Sequence, residues 1–88
     1  MILIVCCFIV YKKYHVAMKN EILVQFGKRI RQLRLERKLS QEHLAEITGF
    51  HRTYIGMIER GERNPSLINI KRFADVFGLD IQGLFSSS

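Results

Sequence analysis

Residues 39–61 read LSQEHLAEITGFHRTYIGMIERG, which is the pattern of two short helices joined by one tight turn. Ser40 stands where a side-chain oxygen caps the first helix, and Gly49 stands in the turn, where a positive φ is needed. Ala45 is small at the position where two steeply crossing helices come closest. The apolar side that faces a core consists of Leu44, Phe50, Ile55 and Ile58. The stretch therefore predicts a helix-turn-helix unit.

Helical patterns continue upstream of this unit. Apolar residues recur at spacings of three and four, which predicts one buried face of a first helix. These residues are Ile22, Phe26, Ile30 and Leu33. Its other faces are basic and predict a solvated surface with one or two phosphate contacts. The basic residues are Lys28, Arg29, Arg31, Arg34 and Arg37.

Two more helices are predicted downstream. We expect the second helix of the unit to end at a left-handed Gly61. Ser66 and Gly78 then bound a fourth helix, and Asp80 begins a short fifth helix within DIQGLF. The inward residues of the fourth helix are Leu67, Ile70, Phe73, Ala74 and Phe77. The fold prediction is all-α, with five helices in a single domain at residues 21–85.

An apolar leader at residues 1–11 and a polar bridge precede this domain, and a serine tail at residues 86–88 follows it. The apolar run is about half as long as a membrane-spanning helix needs. It also lacks the basic start and cleavage site of a secretory signal, so we expect a cytoplasmic protein without a membrane partner. Its β-branched content suits a strand that pairs with a second copy. Alternatively, translation starts at Met18, and the leader is an upstream artefact.

Composition and motifs limit the kinds of function that the sequence supports. The chain has 14 Lys and Arg against 8 Asp and Glu, and its net charge of +6 favours polyanionic partners without identifying one. The adjacent Cys6 and Cys7 match neither a zinc site nor a disulfide framework. His15, His43 and His51 stand in no catalytic or metal-binding motif. We therefore expect no enzyme activity, cofactor, metal or small-molecule ligand.

The stretch at residues 36–67, ERKLSQEHLAEITGFHRTYIGMIERGERNPSL, resembles the helix-turn-helix of the phage Cro and repressor family, also called Xre-type. The resemblance runs from about Phe26 to Phe85. Within that family, HRTYIGMIERGERNPSL is most similar to controller proteins of restriction-modification systems, which usually carry an acidic residue at the position of His51. The resemblance implies a five-helix lambda-repressor-like fold. It also implies a homodimeric transcription regulator that binds double-stranded DNA at a (pseudo)palindromic operator.

The resemblance further implies roles for individual residues. The third helix would lie in the major groove, with Arg52 and Thr53 at base edges. Met57 would add an apolar contact, while His51 is better suited to capping this helix than to reading a base. Gly56 would face the groove without a side chain. The residues expected to contact phosphates are Gln41, Tyr54, Asn64, Ser66 and Lys71. Arg63 either joins them or is a solvated charge of the loop, and Arg60 is expected to make no direct contact.

Two sets of residues carry structural expectations. By resemblance, Arg34 and Glu59 form an ion pair between the first and third helices. The last helix is more apolar than a core of this size needs, which predicts a dimer interface, with ordinary core as the alternative. Its apolar residues are Leu79, Ile81, Leu84 and Phe85. The competing function is a protein-interaction module, such as an antitoxin. The presence of Arg52, Gln41 and Asn64 argues against it.

Overall fold

The computed structural model describes residues 21–86, which form five helices and contain no strand. Helix α1 occupies residues 21–36, and the others follow in chain order. They are α2 (Gln41–Thr48), α3 (Arg52–Glu59), α4 (Leu67–Phe77) and α5 (Ile81–Phe85). The all-α, five-helix prediction is confirmed. The predictions for the leader, its cysteines and Met18 lie outside the described residues.

Local signals set the ends of these helices. Three predicted N-caps accept a backbone N–H: Ser40 Oγ from His43 (3.0 Å), Ser66 Oγ from Asn69 (3.1 Å) and Asp80 Oδ1 from Gly83 (2.6 Å). After α3, Gly61 adopts φ 74°, and the Glu62 N–H donates to Met57 O at 2.9 Å. This is a glycine-terminated helix end of the predicted kind.

The hydrophobic core draws on all five helices. Its fully buried large side chains are Ile30, Leu44, Ile55, Ile58, Phe73 and Leu84. The prediction that Ile22 and Leu67 face inward is wrong, because Ile22 is 58% exposed and Leu67 is 70% exposed. Leu67 is the first residue of α4, and Ile22 lies one turn before Phe26, the first buried residue of α1. Periodicity identifies which face of a helix is apolar, but it does not show how much of the length of that face is covered by neighbouring helices.

The basic residues predicted for the first helix, of which Arg37 lies just after α1, are not simply a solvated surface, and this part of the prediction is wrong. Arg29 donates to the carbonyls of Gly83 (3.1 Å) and Leu84 (3.0 Å) at the end of α5. Arg37 donates to Phe77 O at 2.8 Å, at the end of α4. Since the last carbonyls of a helix lack partners within it, these arginines cap helices distant in sequence.

Helix α1 comes very close to the end of α3 at Gly27. A Cβ placed on Gly27 would lie 2.6 Å from the Glu59 carbonyl oxygen and would also overlap the carbonyl oxygen of Ile58. Both obstacles are backbone atoms, so a side chain cannot rotate away from them. The absence of a side chain at Gly27 therefore sets the separation of α1 and α3.

None of the helices within residues 21–86 is long and apolar enough to cross a membrane.

Candidate nucleic-acid interface

The turn between α2 and α3 takes the form that its residues predict. Gly49 has φ 81°, and its N–H donates to Ala45 O at 2.8 Å. The Thr48 hydroxyl donates to Leu44 O at 2.7 Å and accepts from the Phe50 N–H at 3.3 Å. The turn is thus closed by hydrogen bonds, which fixes the direction in which α3 begins.

Arg34 and Glu59 connect α1 to the end of α3. Their two hydrogen bonds are 2.7 Å from Nε to Oε2 and 3.0 Å from Nη2 to Oε1. The remaining nitrogen of Arg34, Nη1, donates to Leu39 O at 2.9 Å, and Gln41 Nε2 donates to Glu59 Oε1 at 3.2 Å. The Arg34 and Glu59 side chains are only 10% and 4% exposed. This network therefore joins α1 and α2 to the end of α3, while the start of α3 remains exposed.

The predicted base-reading residues Arg52 and Thr53 both lie exposed in the first turn of α3. They line an open polar groove of about 210 Å³ between α2 and α3. The other residues that line it are Gln41, Gly56 and Arg60. Arg52 Nε lies 3.6 Å from Glu42 Oε1, and both side chains are largely exposed. The guanidinium of Arg52 is therefore accessible and only loosely held.

The structure matches the roles predicted for His51 and Met57 less well. His51 occupies the N-cap position of α3, but its side chain makes no capping hydrogen bond, so the expected capping role is not seen. Met57 is half-buried, and its sulfur accepts from Arg63 Nε at 3.4 Å. Arg63 is thus drawn toward α3, whereas its loop position alone gave no such indication.

The geometry described so far is that of a helix-turn-helix with an exposed second helix. The helix-turn-helix family HTH_3 matches residues 30–84. The chain belongs to this family. The match spans the last seven residues of α1, all of α2 to α4 and most of α5. It confirms the Xre-type resemblance found in residues 36–67.

Proteins similar to this chain include a control protein and a restriction-modification controller protein. The chain is 46% identical over 68 residues to control protein C.BamHI of Bacillus amyloliquefaciens, covering 76% of this chain and 84% of that protein. The crystal structure of controller protein C.AhdI from Aeromonas hydrophila is 46% identical, with a TM-score of 0.71, and the match covers 74% of this chain and 98% of that one.

A solved DNA complex also contains this fold. The biofilm regulator SinR, crystallised with DNA, is 32% identical, with a TM-score of 0.64 and coverage of 69% of this chain and 98% of that one. The regulator SinR, which shares this fold, therefore binds DNA.

The residues expected to contact phosphates lie on α2, on α3 and around the start of α4. The Tyr54 hydroxyl oxygen accepts from Asn69 Nδ2 at 3.0 Å, and Ser66 Oγ accepts from the backbone N–H of the same Asn69. Lys71 is exposed and pairs with Asp75. Asn64 is exposed. Sequence analysis missed Asn69, which ties α3 to the first turn of α4. The only sequence signal was a polar residue inside an otherwise apolar turn.

The residues expected at a dimer interface differ in exposure. Leu84 is completely buried in the core of its own chain, so its side chain has no surface to offer a partner. Leu79 and Ile81 are partly buried. Phe85 is 49% exposed, while the other side of its ring packs on Phe26 with the centroids 5.4 Å apart. Within the predicted set, Phe85 therefore offers the most apolar surface to a partner.

Proposed function

We propose that this chain is a sequence-specific double-stranded DNA-binding transcription regulator that inserts α3 into the major groove. This proposal rests on the exposure of Arg52 and Thr53 in the first turn of α3. The ion pair between Arg34 and Glu59 fixes α3 against α1. An arginine can donate two hydrogen bonds to O6 and N7 of guanine, the commonest specific contact in DNA recognition. Thr53 would contact a base edge or a thymine methyl. Met57 and His51 would lie at the margin of this reading surface.

Phosphate contacts on both sides of α3 would orient it without reading sequence. Gln41 begins α2, where free backbone amides and the helix dipole favour an anion. Across the groove, Tyr54 and Ser66 are joined through Asn69 and form a rigid edge. The other phosphate contacts proposed here are those of Arg63, Asn64 and Lys71, all of which are exposed.

The likeness to C.BamHI and C.AhdI favours a more specific role, that of a restriction-modification controller. The proposed role is one of binding rather than catalysis, at an operator in the cytoplasm. Binding needs no cofactor, because every contact proposed above comes from the chain itself.

A selection from a library of random duplexes tests the DNA-binding proposal. We expect the wild-type chain to enrich a defined (pseudo)palindromic site and its affinity to fall steeply as salt rises, because bound phosphates release counterions. Enrichment of no sequence, together with no duplex binding at low ionic strength, would refute the proposal.

We further propose that the regulator is a homodimer whose interface includes α5. A single helix-turn-helix makes few base contacts, and two-fold pairing places two reading helices about 34 Å apart on one face of DNA. Phe85 supports this surface because its exposed side borders a shallow apolar hollow. The hollow is lined by Ile22, Leu23, Phe26, Asn64, Pro65, Ile70 and Phe85.

Phe85→Glu is expected to give a folded monomer that binds its operator about 100-fold more weakly, because the second reading helix no longer binds in the same event. Sedimentation and binding titrations measure both effects, and thermal unfolding verifies the fold. Leu35→Glu is the matched control, since Leu35 is an apolar residue of α1 with 53% exposure. A variant at Phe85 that stays dimeric would exclude this interface.

A further inference from the structure

Arg60, just after α3, is held in a fixed orientation by Glu62. Its Nε donates to Glu62 Oε2 at 2.6 Å, and its Nη2 donates to Glu62 Oε1 at 3.2 Å. This hydrogen bonding raises the pKa of Arg60 and lowers the pKa of the Glu62 carboxyl. Both side chains remain more than half exposed. The pair therefore lies at the surface with a defined geometry, although it is not part of the core.

The two contacts with Glu62 use one edge of the guanidinium. Arginine has five N–H donors in a planar fork, so the Nη1 donors and one Nη2 donor stay available at its end. Nη1 lies over the backbone of α3, 3.1 Å from the position that a Cβ on Gly56 would take. The lack of a side chain at Gly56 thus makes room for Arg60 inside the groove that Arg52 and Thr53 also line.

We propose that Arg60 is a second base-reading arginine of this chain, whose free N–H donors bind a guanine. Glu62 orients the guanidinium, and the absence of a side chain at Gly56 leaves the space that it occupies. The inference rests on the proposed DNA-binding function and adds a specificity-determining residue to it. Glu62 is a positioning residue in this arrangement, because it acts through Arg60.

Position and charge favour a base contact over a phosphate contact. Thr53, Gly56 and Arg60 follow at spacings of three and four, which places them along one side of α3. Glu62 neutralises Arg60 and would itself be repelled by the DNA backbone, so the pair is poorly suited to bind a phosphate. A guanine edge is uncharged and accepts two hydrogen bonds from an arginine terminus.

Selection with Arg60→Ala, compared with wild type and Arg52→Ala, tests the inference. We expect Arg60→Ala to lose about tenfold or more of its preference at one base pair in each half-site, and this base pair differs from the one affected by Arg52→Ala. A uniform loss of affinity on all duplexes would indicate a phosphate contact and overturn the inference. An unchanged preference would also overturn it. A wild-type chain without any preference would instead refute the proposed function.

Glu62→Gln separates positioning from simple charge repulsion. We expect it to reduce preference at the same base pair as Arg60→Ala, and to have no such effect when Arg60 is already alanine. Glu36→Gln is the control, because Glu36 is an exposed acid on α1 that lies 3.9 Å from Arg37. If Glu62→Gln strengthened binding to every duplex alike and left preference intact, Glu62 would only repel DNA, and the positioning role would be wrong.

Discussion

Arg34→Met is expected to lower the free energy of unfolding by about 3–5 kcal/mol, which is a large part of the total stability of a small domain. The cost arises from Glu59, whose side chain is 4% exposed. Without Arg34, this carboxylate keeps only the hydrogen bond from Gln41, at 3.2 Å. Chemical denaturation followed by circular dichroism measures the loss.

The double variant Arg34→Met/Glu59→Leu is the control for this prediction. Replacing a buried ion pair by apolar residues of similar volume is often neutral or stabilising, so most of the loss should be recovered. A single variant as stable as wild type would mean that the Arg34–Glu59 contact contributes little and does not hold α1 against α3. A double variant as unstable as the single one would mean that packing of Arg34, rather than the unpaired charge, carries the effect.

Gly27→Ala is expected to destabilise the fold by about 3 kcal/mol, although alanine favours helices over glycine by roughly 1 kcal/mol. The added methyl group would meet the Glu59 carbonyl oxygen at 2.6 Å. Because that oxygen belongs to a helix backbone, relief requires α1 and α3 to move apart. We expect thermal unfolding to show a clearly lower Tm and operator binding to weaken in proportion to the displacement of α3.

Gly56→Ala is the matched control, since it makes the same change in the middle of another helix. Its Cβ would meet side-chain atoms rather than backbone, namely Arg60 Nη1 at 3.1 Å and Gln41 Oε1 at 3.9 Å. The stability of this variant should equal or exceed that of wild type. If Gly27→Ala were equally well tolerated, the close approach of α1 to α3 would not be a structural requirement.

The helix boundaries and the turn were predictable from the sequence because their signals are local. Ser40 and Asp80 cap helices through amides three residues ahead, and Gly49 adopts the positive φ that its position required. Ala45 at the crossing of α2 and α3 is buried, as a small residue there should be. Each of these signals acts within a few residues, so one sequence is sufficient to read it.

Contacts between distant segments were not predictable in the same way. Arg29 lies on an apparently solvated face of α1, and Arg37 lies just after α1. They nevertheless cap α5 and α4, whose positions only the folded chain defines. The sequence predicts Leu84 at an interface, because composition does not distinguish surplus apolar residues from those that complete a core. Gly27 carried a signal that was overlooked, since a glycine in the middle of a helical pattern needs a packing reason.

The candidate site also has some features that were predictable from the sequence and others that were not. Family resemblance implied that Arg52, Thr53 and the Arg34–Glu59 pair are important, and the structure places the first two at the exposed start of α3 and the pair behind it. The fixed geometry of Arg60 was not predicted. It depends on a carboxylate two residues ahead and on the missing side chain of Gly56, and neither feature belongs to a recognised motif.

The base preference of Arg52→Ala, measured by selection from random duplexes beside the wild-type chain, tests most directly whether α3 reads DNA. We predict that the variant stays folded and loses about 1–3 kcal/mol of discrimination at one base pair per half-site, with the other positions retained. An unchanged preference profile would contradict the proposal that the start of α3 lies against base edges.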